Sequence, residues 1–125
     1  MKPKLHFVYN VDPNPRALIG DFLHRLISPE TYPCKLCDVT YGRFFKKLAW
    51  QNYIRQLSIK SVFHTRSAFR KKFPQLKGES VPLVAYQSSS GNLTVIITKA
   101  QLESVKRLDD LIVLLEIQMK NHCVE

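Results

Sequence analysis

The hydrophobic and polar positions divide the chain into short elements. Leu5-His-Phe-Val-Tyr9 is rich in aromatic and β-branched residues and predicts a strand. Asp12-Pro-Asn-Pro15 interrupts it, and Asn14 before Pro15 is a helix start, with Asn capping free N–H groups and Pro at the first helical position. Leu18, Ile19, Phe22, Leu23 and Leu26 recur at helical spacing, so residues 15–27 predict an amphipathic helix that Ser28-Pro29 ends. Glu30 to Gly42 reads as a loop. A second helix is expected from about Arg43 to Leu57, with Phe45, Leu48, Ala49 and Ile54 inward and Lys46, Lys47, Gln51 and Arg55 outward. Ile59 to His64 predicts a short strand, and Ser67 caps a short helix that Pro74 must end.

Val81-Pro-Leu-Val-Ala-Tyr86 and Leu93-Thr-Val-Ile-Ile97 predict two strands. The polar turn Gln87-Ser-Ser-Ser-Gly-Asn92 joins them as a hairpin, which requires an antiparallel pair. Thr98 and Gln101 have capping-box spacing. A last helix begins near Leu108-Asp109, with Leu111, Ile112, Leu114, Leu115 and Met119 inward.

The chain has 125 residues, the size of one domain, and its 45% hydrophobic fraction is that of a protein with a core. One domain is therefore expected over 1–125. The longest wholly apolar run, Leu111 to Leu115, is far short of the ~20 residues a membrane span needs. Asn10 and Asp12 break the first apolar stretch before it could serve as a signal peptide. Three cysteines are too few for a disulfide scaffold. The expectation is a cytoplasmic, reduced protein with no membrane association.

Charge changes the picture. The formal net charge is +9, and the window from Val39 to Gly78 holds ten basic residues and no acidic one. Such a block attracts anions. Tyr41, Phe44, Phe45, Trp50, Tyr53, Phe63, Phe69 and Phe73 are interleaved with it. That composition suits a nucleic-acid surface, where cations take phosphates and rings stack on bases. It equally suits amphipathic helices with buried rings and solvated charges. Lys46, Lys47, Arg70, Lys71 and Lys72 are the candidate anion contacts here, and Asn14 and Arg16 form a second candidate at the start of the 15–27 helix. No G-x-x-x-x-G-K-[ST] run occurs, which disfavours a P-loop nucleotidase. No Ser/His/Asp or paired-carboxylate spacing argues for hydrolysis. His6 and His64 read as hydrogen-bonded packing residues of strands.

The element order is strand, helix, helix, strand, short helix, strand, hairpin strand and terminal helix. With Val81-Pro82 opening the third strand, it resembles the thioredoxin-like fold over nearly the whole chain. The resemblance implies an α/β fold with a mixed sheet of about four strands flanked by helices. It also implies a cis bond before Pro82, beside the active-site loop. The run Tyr32-x-Cys34-x-Leu36-Cys37-x-x-Thr40-Tyr41-Gly42 is similar to the signature of a small bacterial family that carries no established activity.

Thioredoxins carry Cys-x-x-Cys directly after the first strand. Here that position is Asn10-Val-Asp-Pro-Asn-Pro15, without cysteine. Cys34 and Cys37 come one helix later, which places them, on this fold, at the opposite end of the sheet from Pro82. Their spacing allows a shared metal ion or a short disulfide. Two thiolates leave a zinc tetrahedron open. The topology would bring His122 and Cys123 near Cys34, with His24 in range, so Cys34, Cys37, Cys123 and a histidine form a candidate zinc set. If the pair is redox-active, Lys35 beside Cys34 favours the thiolate.

These readings converge on a binding or regulatory module that lacks the standard redox motif, its partner a protein or a polyanion. The alternatives are a thiol-disulfide or redox-sensing protein using Cys34 and Cys37, and an anion or nucleic-acid binder using the 39–78 block.

Overall fold

A computed structural model describes residues 2–11, 34–40 and 47–122. The expected 15–27 helix, together with Asn14, Arg16, His24, Phe45, Lys46 and Cys123, lies outside them.

The described elements are strand β1 (Lys4–Val8), helices α1 (Lys35–Thr40) and α2 (Leu48–Gln56), strand β2 (Lys60–His64) and helix α3 (Arg66–Lys72). A single 3-10 turn (Pro74–Leu76), strands β3 (Leu83–Gln87) and β4 (Leu93–Ile97), and helices α4 (Lys99–Glu103) and α5 (Leu108–His122) follow. The strands form one mixed sheet in the order β2-β1-β3-β4. β1 runs parallel to β2, pairing Val8 with His64, and antiparallel to β3, pairing Val8 with Leu83. β3 and β4 form the antiparallel hairpin, closed by Ser88 N–H to Asn92 O and by Gly91 N–H to Ser88 O, each 2.9 Å. Gly91 has φ 95°, a conformation that favours glycine.

Side chains alternate across the sheet. Leu5, Phe7, Tyr9, Val84 and Tyr86 face the larger core, which takes Leu36 and Val39 of α1, Trp50 of α2, Leu102 of α4 and Leu108, Leu111 and Leu115 of α5. Val8, Leu83 and Ala85 face the smaller core, under Phe69 and Phe73. Helix α3 therefore covers one face of the sheet, and α1, α2, α4 and α5 the other. The peptide bond between Val81 and Pro82, just before β3, is cis. No helix among the described residues is long and apolar enough to cross a membrane.

Local chemistry explains most boundaries. Thr98 accepts from Gln101 N–H while the Gln101 side chain accepts from Thr98 N–H, the reciprocal cap that starts α4. Asp110 Oδ2 accepts from the N–H groups of Lys106 and Arg107 before α5. Three details differ from the sequence reading. Residues Lys35–Thr40 are helical where a loop was expected, because Leu36 and Val39, one turn apart, both bury. Thr65, not Ser67, caps α3, accepting from Ala68 N–H. In α2 the inward stripe is Trp50, Tyr53, Ile54 and Leu57, with Leu48 68% exposed and Ala49 exposed as well. Trp50 meets Phe7 edge-on at 5.5 Å, and a ring of that size sets which way the helix turns.

Candidate functional site

The cysteine pair sits where β1 ends. Cys34 and Cys37 are joined in a disulfide with Cα atoms 5.3 Å apart, at the entry to α1. Cys34 Sγ accepts two backbone N–H groups at 3.3 Å, from Cys37 and from Asn10. The Cys34 carbonyl accepts Asp38 N–H at 3.0 Å, so the first cysteine caps the helix that holds the second. At the other end of α1, Thr40 Oγ1 donates to Leu36 O at 2.6 Å, and Thr40 O accepts Lys47 N–H at 2.9 Å. Both cysteines are covered, with 0% and 6% of their surfaces exposed.

The Asn10 contact corrects the position derived from sequence. Asn10 lies just beyond the C-terminal end of β1, and β3 starts opposite Val8, directly after Pro82. The pair and Pro82 therefore share one end of the sheet. The expectation from sequence puts the pair at the opposite end of the sheet from Pro82; α1 instead begins at the end where β1 stops.

The same correction removes His122 from the candidate zinc set. Helix α5 ends beside Lys2, Pro3 and Lys4, where Met119 and Lys120 line a cleft with them. That end of β1 is ~20 Å from Asn10 at ~3.3 Å per residue. His122 is exposed there, and no group of three or more His, Cys, Asp or Glu side chains poised for a metal occurs among the described residues. Cys123 and His24 lie outside those residues.

On the opposite face a second polar group is built into the smaller core. His6 Nε2 donates to Gln87 Oε1 at 2.9 Å, and His6 Nδ1 lies 2.8 Å from His64 Nε2. With Gln87 accepting from Nε2, neutral His6 offers Nδ1 as an acceptor, so His64 Nε2–H donates to it. Phe73 packs edge-on to both imidazoles, at 5.1 and 6.1 Å, and Phe69 lies 5.6 Å from His64. Burial, the bond to Gln87 notwithstanding, lowers the pKa of His6, with Lys72 and Lys4 adding to the effect. Burial, then His6, then Lys72 push His64 down to about 4. Both rings are neutral at pH 7. Each histidine was legible as a packing residue, but their pairing required the parallel register of β1 and β2, which puts both on one face.

The 39–78 block does not make one face. Arg55 extends from α2 on one side of the sheet, and Arg70, Lys71 and Lys72 are exposed on α3 on the other. Lys47 stands at the N-cap position of α2, without a side-chain capping hydrogen bond, and is half-buried. Nor are the rings available to bases: Trp50, Phe69 and Phe73 are buried, Tyr53 stacks on Trp50, and Phe63 stacks on Phe7. Among the described residues the interleaved aromatics are core.

No protein-family model matches the chain, and no curated protein is similar to it in sequence.

Proposed function

We propose that the chain is a thioredoxin-like regulatory module, whose Cys34 and Cys37 cycle between dithiol and disulfide and so respond to the redox state of their compartment. One observation carries this reading: the displaced Cys-x-x-Cys lies, as a disulfide, at the sheet end where Pro82 precedes β3. The thioredoxin-like resemblance implies a redox loop at that place. The two N–H groups on Cys34 Sγ support it too, since they favour a thiolate once the bond opens.

The departure from thioredoxins narrows the role. Both cysteines are buried, so a protein disulfide has poor access and a small oxidant better access. In the forward step one thiolate attacks a small disulfide of the glutathione type, forms a mixed disulfide and expels one thiol. The second cysteine attacks that intermediate, forms the Cys34–Cys37 bond and expels the second thiol. Two electrons and two protons pass from the pair to the small disulfide. In a reducing cytoplasm the resting form is the dithiol, and the bond marks oxidation.

The test is to equilibrate the protein in graded ratios of reduced to oxidised glutathione, trap free thiols by alkylation and read the masses. A midpoint between roughly −270 and −180 mV fits a responsive pair. A midpoint below about −300 mV makes the bond a permanent staple and ends this reading.

A further inference from the structure

A cleft lies at the other end of the sheet, away from both the cysteine pair and the histidine pair. It encloses about 1020 Å³, at the top of the ~300–1,000 Å³ range of ligand sites. Three stretches of chain build it: the start of β1, the approach to β2 and the last turns of α5.

Among its lining residues Lys2 and Lys120 are exposed cations, whereas Lys4 and Lys60, paired across β1 and β2, stand on the His6 face of the sheet. Leu57, Ile59, Ile117 and Met119 supply apolar lining. Glu116 is the one carboxylate among the described lining residues, and it accepts the hydroxyl hydrogen bond of Tyr53. Burial and that carboxylate raise the pKa of Tyr53, so the hydroxyl stays a donor and part of the negative charge of Glu116 is spent locally.

The apolar surface also leads out of the cleft. Ile117 is 50% exposed, and Val113, one helical turn before it on the same side of α5, is 58% exposed. A small molecule would leave that strip bare, whereas an extended chain would cover both. A second copy of this protein is disfavoured by charge, since each copy carries +9.

We infer that this cleft docks an acidic segment of a partner polypeptide, its apolar side chain seated between Leu57, Ile59 and Met119 and its carboxylates paired with Lys2 and Lys120. The strip of Val113 and Ile117 receives the continuation of the same segment. The site is independent of the redox reading, because it uses neither cysteine and lies at the opposite end of β1.

The probe is a fluorescein-labelled octapeptide, Glu-Asp-Glu-Phe-Glu-Leu-Asp-Glu, titrated by anisotropy into the full chain. Saturable binding is expected, weakened roughly tenfold by Lys2→Glu with Lys120→Glu and severalfold by Ile117→Ser, each a change at an exposed position. Lys71→Glu with Lys72→Glu, on the other face, should leave binding unchanged. The inference is overturned by absence of saturable binding, or by equal affinity for the peptide with serine in place of Phe and Leu. Equal weakening by the Lys71 and Lys72 changes also overturns it, since only net charge would then matter. Self-association of the protein alone that Ile117→Ser abolishes would assign the strip to a second copy instead.

Discussion

Arg66 donates a 2.6 Å hydrogen bond from Nη1 to the side-chain oxygen of Asn10, the residue whose backbone N–H points at Cys34 Sγ. Helix α3 on one face of the sheet is thereby tied to the disulfide at the sheet's end. The backbone reinforces the link, since Arg66 N–H donates to Val11 O at 3.2 Å.

Replacing Arg66 with Gln should loosen Asn10 and weaken its N–H contact with sulfur. That contact favours a thiolate more than a disulfide sulfur, so its loss destabilises the reduced form. The bond becomes harder to reduce, and the midpoint in glutathione buffers should move more negative by about 10 mV or more, the equivalent of half a kilocalorie. An unchanged midpoint would show that Arg66 does not act through Asn10.

The histidine pair predicts a pH dependence with a definite sign. Both imidazoles are held below their ordinary pKa in the folded protein, His64 at about 4, whereas the unfolded chain titrates near 6.5. The unfolded state therefore binds more protons in this interval, and stability is complete above pH 6.5 and falls as the pH drops towards 4. Thermal melts of wild type and His64→Gln should diverge in slope between pH 7 and 4.5, the variant losing less. Parallel curves would remove the pair from acid sensitivity.

Trp50 is the only tryptophan and is fully buried, and its indole N–H finds no hydrogen-bond partner among the described residues. Trp50→Ala should cost about 3–5 kcal/mol, whereas Trp50→Phe gives up area but no hydrogen bond and should cost well under half as much. Leu48→Ala, at 68% exposure, should be close to neutral. Urea unfolding of the three variants checks the order; a large cost at Leu48 would mean a different helix face is buried.

The reciprocal cap between Thr98 and Gln101 predicts that Thr98→Ala destabilises by about 1 kcal/mol. Gln101→Ala in the Thr98→Ala background should then cost less than in wild type, because the two side chains serve one cap. A double-mutant cycle in urea reads this coupling directly, and simple additivity would show that they act separately.

The parts of this structure that were legible in sequence are those set by local chemistry. The hairpin turn around Gly91, the cap at Thr98 and the start of α5 at Leu108 each follow from neighbouring residues. The inward face of α2 was misassigned because residues 45, 48 and 49 make a helical stripe of their own, whereas Ile54 belongs to the stripe of residues 50, 53 and 57; the contact of Trp50 with Phe7 selects the second. The cysteine pair was recognisable from its spacing, but its place was not, since that depends on how many times the chain crosses the sheet before Cys34. The His6–His64 bond joins residues 58 apart, and the cleft draws its lining from three distant stretches, so neither leaves a local trace.

The position of β1 inside the sheet, between β2 and β3, has a consequence for biosynthesis. This strand leaves the ribosome more than fifty residues ahead of β2 and about seventy-five ahead of β3. At ~5–20 residues per second, Leu5, Phe7, Val8 and Tyr9 wait several seconds for both partners. A nascent chain stalled before residue 60 has no neighbour strand to cover this segment, and it is there that a chaperone has its longest opportunity to bind.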